Sequence, residues 1–488
     1  MHKQFGVEII EGPQHWAIIQ QKQGFGTIHL KGCWSAQSGS VSEREQVYVR
    51  IVKEDGGETV VPWQPCDMSN RSASSDLNDK SEKSEKGVAQ QWQITISGIA
   101  AGGLYRIESC LRMDDEQPMG FAARGDMIHH VGIGDIWVIA GQSNAAGYGK
   151  GPVTDPPEIG IHLLRNNGHW DLATHPFNES NQMIHTLHRE PVNPGHSPYL
   201  AFARKIRKET GLPIGLLQTA LGGSPLGRWN PDEDGDLYRN MLEIIESAGG
   251  SVKGILWYQG CSDCSPDNAQ TYLERFSNVV KYWRKDLNNT ELPILTVQLN
   301  RCTGDWVIEE DDPFWGKVRE AQRLAAMQLE HVYVVPALDC PLSDHIHNSP
   351  AGNLLIGERL GRTALANLYG KSLPHRAPNV RKAVFGIKSP TWMQSVILEF
   401  NDVLGELFAS GPSEVIFSIE DSNGLLAITD WRVIRGNRIE LLLPRPVEGT
   451  VVVHGAFEAN PAAFLPMDTE TQMPMLSFYG LEIASEEE

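Results

Sequence analysis

Between about residues 131 and 370, short apolar runs alternate with stretches of helical periodicity, and this rhythm restricts the fold more than any other feature. The runs are DIWVIA (135–140), IGLLQTA (214–220), GILWYQG (254–260), PILTVQL (293–299) and VYVVPAL (332–338). Between them stand segments such as YLAFARKIRKET, NAQTYLERFSNVVKYWRKDL, KVREAQRLAAMQLE and AGNLLIGERLGRTALANL. Strand–helix alternation builds an α/β fold: a doubly wound, mostly parallel sheet with helices on both faces. Five strands are expected. Ligands of such sheets bind beyond the carboxyl ends of the strands, so polar residues just after each run carry the functional interest.

The flanks have another texture. Residues 1–130 hold QVYVRIV, QWQITISGI and GLYRIESCL, which read as strands of a β-sandwich-like domain. A polar stretch near 67–87 reads as a long exposed loop within it. After a Pro-bearing linker, SVILEFN, EVIFSIE, RIELLLP and GTVVVHG make 371–488 a second β-rich, sandwich-like domain. With 488 residues, two to four domains are expected. The formal charge of −19 argues against nucleic acid or an anionic membrane surface as partner. No eighteen-residue apolar stretch and no secretory signal are apparent in the sequence. Seven scattered cysteines suggest reduced thiols and a cytoplasmic location.

Four signatures follow the apolar runs. In GDIWVIAGQSN a strand delivers Ser143 into a turn, where unpaired backbone N–H groups favour an anion. A serine there is either a nucleophile awaiting a base or a turn cap. In TALGGSPLGRW, Gly222 and Gly223 are able to present N–H groups to an oxyanion, or simply to make a tight turn. In ILWYQGCSDCS, the amide of Gln259 ends a strand, and Cys261 and Cys264 form a C-x-x-C pair. No second pair exists to complete a zinc site, so two buried thiols are the better reading. In LSDHIHNSPAG, Asp344 and His347 are three apart, a spacing that lets the carboxylate bond the imidazole and fix its tautomer. His345 competes for that role but directly follows Asp344. Of the aromatics near the rim, Trp229 is the preferred substrate contact beside Arg228, while Trp257 and Tyr258 read as core and Trp306 stays open to either role.

Taken together, these four places resemble the SGNH (GDSL-like) hydrolases, and within them the sialate O-acetylesterase-like branch of carbohydrate esterases. The matching segments are GDIWVIAGQSN, GGSPLGRW, WYQG and DHIH, with GHSPYLAFARKI as a further similar stretch. The resemblance implies Ser143 as nucleophile, His347 as base and Asp344 as its orienting carboxylate. It implies an oxyanion hole from the Ser143 N–H, a glycine N–H (Gly223 before Gly222) and the Gln259 amide. Gln142, Asn144, Arg228 and Trp229 are assigned to substrate binding. Three positions depart from the branch: Ala145 stands where Met is usual, Cys261 where Glu is usual and Asn348 where Pro is usual.

The implied activity is hydrolysis of acetyl esters on sugars, either acetylated xylo-oligosaccharides or O-acetylated sialic acid, through an acyl-enzyme and with no metal or organic cofactor. Two alternatives are a short-chain esterase acting on non-sugar esters and a carbohydrate-binding protein that has lost catalysis. The flanking domains are read as glycan-binding modules, or as frames for the cleft and for contacts between copies in a homo-oligomer.

Overall fold

The computed structural model describes residues 6–35, 44–68, 90–191, 194–386, 394–409, 415–462 and 464–484. Apart from Asp67 and Met68, the polar loop expected near 67–87 lies outside the described residues.

The N-terminal strands make two layers. Gly6–Glu11, Phe25–Ser35 and Gln90–Ala100 form an antiparallel three-stranded sheet. Gln46–Lys53, Thr59–Pro65 and Leu104–Arg112 belong to a second sheet. Alternation decides which side chains meet: Val47, Val49 and Ile51 are buried and share one core with Ile28, Leu30, Trp34 and Trp92.

The central sheet is built on β1 (Ala123–Gly141), and this strand serves two sheets. Its first half pairs antiparallel with Leu104–Arg112. From Val131 onward every residue is buried, and this half is flanked by parallel strands. The sequence explains the change, since Ile136–Ala140 is an uninterrupted apolar run suited to burial on both faces. Fully burying each large apolar side chain of this run contributes about 1.5–3 kcal/mol. One continuous strand therefore crosses position 130, where composition suggested a boundary.

The remaining strands are β2 (Ile161–Leu164), β3 (Trp170–Leu172), β4 (Ile214–Gln218), β5 (Gly254–Tyr258), β6 (Ile294–Val297) and β7 (Val332–Val335). They are ordered β3-β2-β4-β1-β5-β6-β7. All neighbours are parallel except β3 against β2. The expectation of five strands is corrected here: β2 is a sixth parallel strand, and β3 adds an antiparallel edge. Ile161–Leu164 is only four residues long, but it finds the free edge of β4, with Ile161 opposite Ile214 and Leu164 opposite Leu217. The helices are the single turn α1 (Ser143–Ala146), α2 (Tyr199–Thr210), α3 (Asp236–Ser247), α4 (Pro266–Asp286), α5 (Asp312–Gln328) and α6 (Pro350–Leu368). Helix α2 packs on α6, and α4 on α5.

The C-terminal strands form two hydrogen-bonded groups that share one strand. Eight of them run in one hydrogen-bonded path, with a separate two-stranded ribbon. The cause is Phe478–Ala484, which pairs parallel with Asn379–Phe385 on one side and antiparallel with Val452–Gly455 on the other, joining the halves. This domain is fastened beside β6. The Gln298 amide exchanges two hydrogen bonds with the Ser477 backbone, at 3.0 and 2.9 Å. The buried Arg319 guanidinium donates to the carbonyls of Leu299, Asn300, Phe457, Glu458 and Ala459. Among the described residues, no helix is long and apolar enough to cross a membrane.

Candidate active site

The chain turns sharply after β1 because Gly141 has φ +127°, and a Cβ there would collide with the Tyr258 carbonyl of β5. Gln142 N–H donates to that same carbonyl at 3.0 Å. Ser143 then opens α1, which stops after one turn at Gly147, φ +94°. Ser143 is 8% exposed, so its hydroxyl sits at a nearly closed surface.

The second component is the loop after β7. Asp344 Oδ1 accepts the N–H groups of Ile346 and His347 at 3.0 and 2.8 Å, and Oδ2 lies 2.8 Å from His347 Nδ1. Burial opposes the charge on Asp344. The N–H groups and the imidazole outweigh it and hold the carboxyl below its usual range. With Nδ1 engaged, Nε2 is the nitrogen left to act as a base. The competitor His345 faces elsewhere: its Nδ1 is 3.3 Å from the Thr303 carbonyl and its ring meets Trp306 edge-on.

Asn144 brings the two components together. Its Nδ2 donates to the Ile346 carbonyl at 3.1 Å, and its Oδ1 accepts the Asn348 N–H at 3.0 Å. The residue after the serine thus grips the chain on both sides of His347. Asn300, just past β6, donates to the same Ile346 carbonyl and to Asn348 Oδ1. Asn348 Nδ2 reaches the Tyr258 hydroxyl at 2.9 Å. From the serine side, Tyr148 stacks on the His347 ring, with centroids 4.8 Å apart. Sequence reasoning missed Tyr148, Asn300 and the role of Asn348. The only signal was the departure from Pro at 348.

Other expectations need correction. Gln259 is fully buried, and its Nε2 donates to the Ser224 carbonyl at 3.1 Å and to Asp263 Oδ2 at 2.6 Å. Its Oε1 accepts from the Tyr272 hydroxyl. Both amide hydrogens are therefore committed, and none points to an oxyanion. Trp229 is also fully buried, donating to Ser224 Oγ and packing edge-on against Trp257, so it offers no face to a substrate. Arg228 is held by Asp236 through two contacts at 3.0 and 2.6 Å. Gln142 is buried, and its Oε1 accepts the N–H groups of Gly260 and Ser262. Asn144 likewise serves the loop rather than a ligand. The glycine pair divides unequally: Gly222 N–H donates to Glu190 at 2.7 Å, whereas Gly223, φ +67°, faces open space. Among the described residues no acceptor takes the Gly223 N–H.

Burial pushes the Cys261 thiol up to about 12 and raises Cys264 well above the ordinary value, so neither is a ready thiolate. Among the described residues, Asp155, His175 and His196 bring ligand-type atoms together. Both Nε2 atoms share Asp155 Oδ2, at 3.1 and 3.0 Å, and Arg204 holds Oδ1 at 2.7 Å. Both Nδ1 atoms are buried without a partner. A metal on Nε2 would force a buried, unpaired proton onto each Nδ1, so these residues fit an ion poorly. Asp155 instead ties three cations or imidazoles beneath the serine loop.

A cavity of about 280 Å³ opens where Cys302–Gly304, Val307, Ile308 and Asp312 face Glu458–Asn460 of the C-terminal domain. A larger cavity, about 600 Å³, lies instead between the N-terminal strands and Ser247–Ser251. The 280 Å³ cavity adjoins Thr303, whose N–H donates to the His345 carbonyl at 2.8 Å.

Residues 133–366 match the family model described as carbohydrate esterase, sialic acid-specific acetylesterase. A probable carbohydrate esterase of Arabidopsis thaliana is 31% identical over 253 residues, which cover 48% of this chain and 90% of that protein. The sialate O-acetylesterase of Homo sapiens is 20% identical over 446 residues, covering 76% and 80%. A crystal structure of a carbohydrate acetylesterase from Xanthomonas citri superposes with a TM-score of 0.63 at 20% identity, covering 96% of this chain and 98% of that one, a likeness of fold. The chain is thus a carboxylic-ester hydrolase of the acetylesterase class. It belongs to the carbohydrate esterase family of sialic acid-specific acetylesterases.

Proposed function

We propose that the protein removes acetyl groups from sugar hydroxyls by a serine acyl-enzyme route centred on Ser143, His347 and Asp344. The observation that carries this reading is the grip of Asn144 on both neighbours of His347, which draws the serine turn and the imidazole–carboxylate pair to one rim. His347 Nε2 takes the Ser143 proton as the oxygen attacks the acetyl carbonyl. The N–H groups of Ser143 and Gly223 hold the tetrahedral oxyanion. The sugar oxygen leaves with the proton from His347, and water then repeats the sequence on the acetyl-enzyme. Asp344 stays ionised and keeps the imidazole oriented.

The names of the related proteins support an acetylated sugar as substrate. Acetylated xylo-oligosaccharides and O-acetylated sialic acid are the two substrates to compare. Residues 131–370 are proposed to carry the reaction, with 1–130 and 371–488 as flanking units. The docked loop at Glu458–Asn460 adds a wall near His345. All seven cysteines are free thiols, in keeping with a reducing compartment.

The test is acetate release from both substrates, with Ser143→Ala as the blank. Release from either sugar by the native enzyme and loss in the variant is the expected result. Unchanged turnover by Ser143→Ala would remove the nucleophile assignment. Release from p-nitrophenyl acetate but from neither sugar would favour a non-sugar esterase.

A further inference from the structure

Glu190 lies outside the reacting trio, yet it is bound to both sides of it. It is 2% exposed. Its Oε1 accepts the Gly222 N–H at 2.7 Å, with Asn178 Nδ2 at 3.4 Å on the same oxygen. Its Oε2 accepts the Tyr148 hydroxyl at 2.6 Å. Among the described residues, no Lys, Arg or His pairs with it. A buried carboxylate without a cation is expensive, and a glutamine would make two of these hydrogen bonds at lower cost. The charge therefore calls for a use.

The far side of Tyr148 supplies one. Its ring stacks on His347 with planes 29° apart. A carboxylate, a phenol, a ring face and an imidazole thus follow one another in space. An aromatic face attracts a cation, and a phenol bonded to an anion presents a more negative face. The glycine block is held by the same group: a Cβ at Gly222 would press on Glu190 Oε2 at 2.9 Å and on the Tyr148 hydroxyl at 3.1 Å.

We infer that Glu190 and Tyr148 are positioning residues of the esterase site: anionic Glu190 polarises the Tyr148 phenol, whose ring face stabilises the His347 imidazolium, and its other oxygen fixes Gly222 so that the adjacent Gly223 N–H is left for the oxyanion. The inference rests on the assignment of Ser143 and His347 proposed above. Burial raises the Glu190 carboxyl despite its bonds to Tyr148 and Gly222, and burial followed by Glu190 raises the Tyr148 phenol, so the phenol keeps its proton throughout. The proton that moves passes only between Ser143, His347 and the leaving oxygen. The titratable groups around His347 are Asp344 and His345 on its own loop, Tyr148 backed by Glu190, Tyr258 against Asn348, and Cys302 near Asp344.

The experiment is the pH profile of kcat and kcat/KM for Tyr148→Leu, Tyr148→Phe and Glu190→Gln in the full chain. The acid limb of kcat/KM reports the free enzyme's base. Loss of imidazolium stabilisation favours the free base, so the limb moves to lower pH. Tyr148→Leu is expected to move it down by about half a unit and to cut kcat about two- to fivefold, the scale of an exposed to partly buried cation–π contact. KM should stay within about twofold, because the interaction forms with the charge and not with the substrate. Glu190→Gln keeps one acceptor for Gly222 and removes the charge, so it should shift the limb in the same direction by less. Tyr148→Phe keeps the ring and loses the carboxylate link, and should match Glu190→Gln. If Tyr148→Leu does not fold, the other two variants decide. An unmoved limb in the folded variants, or a loss confined to KM, overturns the inference. Failure of the underlying assignment looks different: Ser143→Ala would then retain turnover.

Discussion

Replacing Gln259 with alanine separates two readings of the same residue. If its amide served the oxyanion, as the family resemblance implied, the variant would fold normally and lose about a hundred- to a thousandfold in kcat. The geometry forecasts the reverse. The variant removes a donor from the Ser224 carbonyl and an acceptor from the Tyr272 hydroxyl, each worth about 1 kcal/mol. It also removes a 2.6 Å donor from the Asp263 carboxylate, a charged contact worth about 1.5–3 kcal/mol. The total loss is about 3–5 kcal/mol, a large share of the roughly 5–15 kcal/mol by which domains are stable. The loss should also depend on pH. Burial raises the Asp263 carboxyl above its ordinary value despite Gln259, Leu226 and Arg275. A raised carboxyl makes the folded state hold more protons, so stability falls as pH rises from the ordinary carboxylate value through the folded one. Removing the Gln259 amide raises it further and widens that window. The deficit should therefore be larger at neutral than at mildly acid pH. Urea unfolding at both pH values, with kcat measured per folded molecule, makes the check. Unaltered stability with a hundredfold loss of kcat would refute the assignment of Gln259 as a brace.

Asp344→Asn should leave the loop folded, since one amide oxygen still accepts the two N–H groups. It should lower kcat by about 10³–10⁴-fold by presenting an N–H to Nδ1 and reversing the tautomer; p-nitrophenyl acetate turnover gives the answer. Asn348→Ala strips a donor from the Tyr258 hydroxyl and leaves Asn300 without one acceptor, at a cost of about 1–3 kcal/mol in thermal unfolding. Glu458 is pushed up to about 6 by burial, so its drag on stability sets in as pH rises from the ordinary carboxylate range through that value. Glu458→Gln should raise the unfolding midpoint at pH 8 by the equivalent of at most about 2 kcal/mol and leave it little changed at pH 4.

The sequence by itself determined what depends on neighbours in the chain. Continuous apolar runs must be buried on both faces, so the parallel sheet and the rim at which Ser143, Gly223 and Asp344 sit were readable from Ile136–Ala140 and its counterparts. The Asp344–His347 bond spans three residues and is set by a local turn. Tertiary structure alone decided the rest. Gln259, Trp229 and Arg228 have residue types that suit a substrate or an oxyanion, but the first two are turned inward and the third is paired with Asp236, by partners that spacing cannot reveal. Asn144 meets Asn348 across 204 positions, and Tyr148 meets Glu190 across 42. The four-residue strand Ile161–Leu164 exists because β4 offers it an open edge. Short-range patterns follow from backbone geometry, which repeats every few residues. The partner of a buried polar group follows from which distant segments the sheet carries to the same place, and a linear pattern does not encode that meeting.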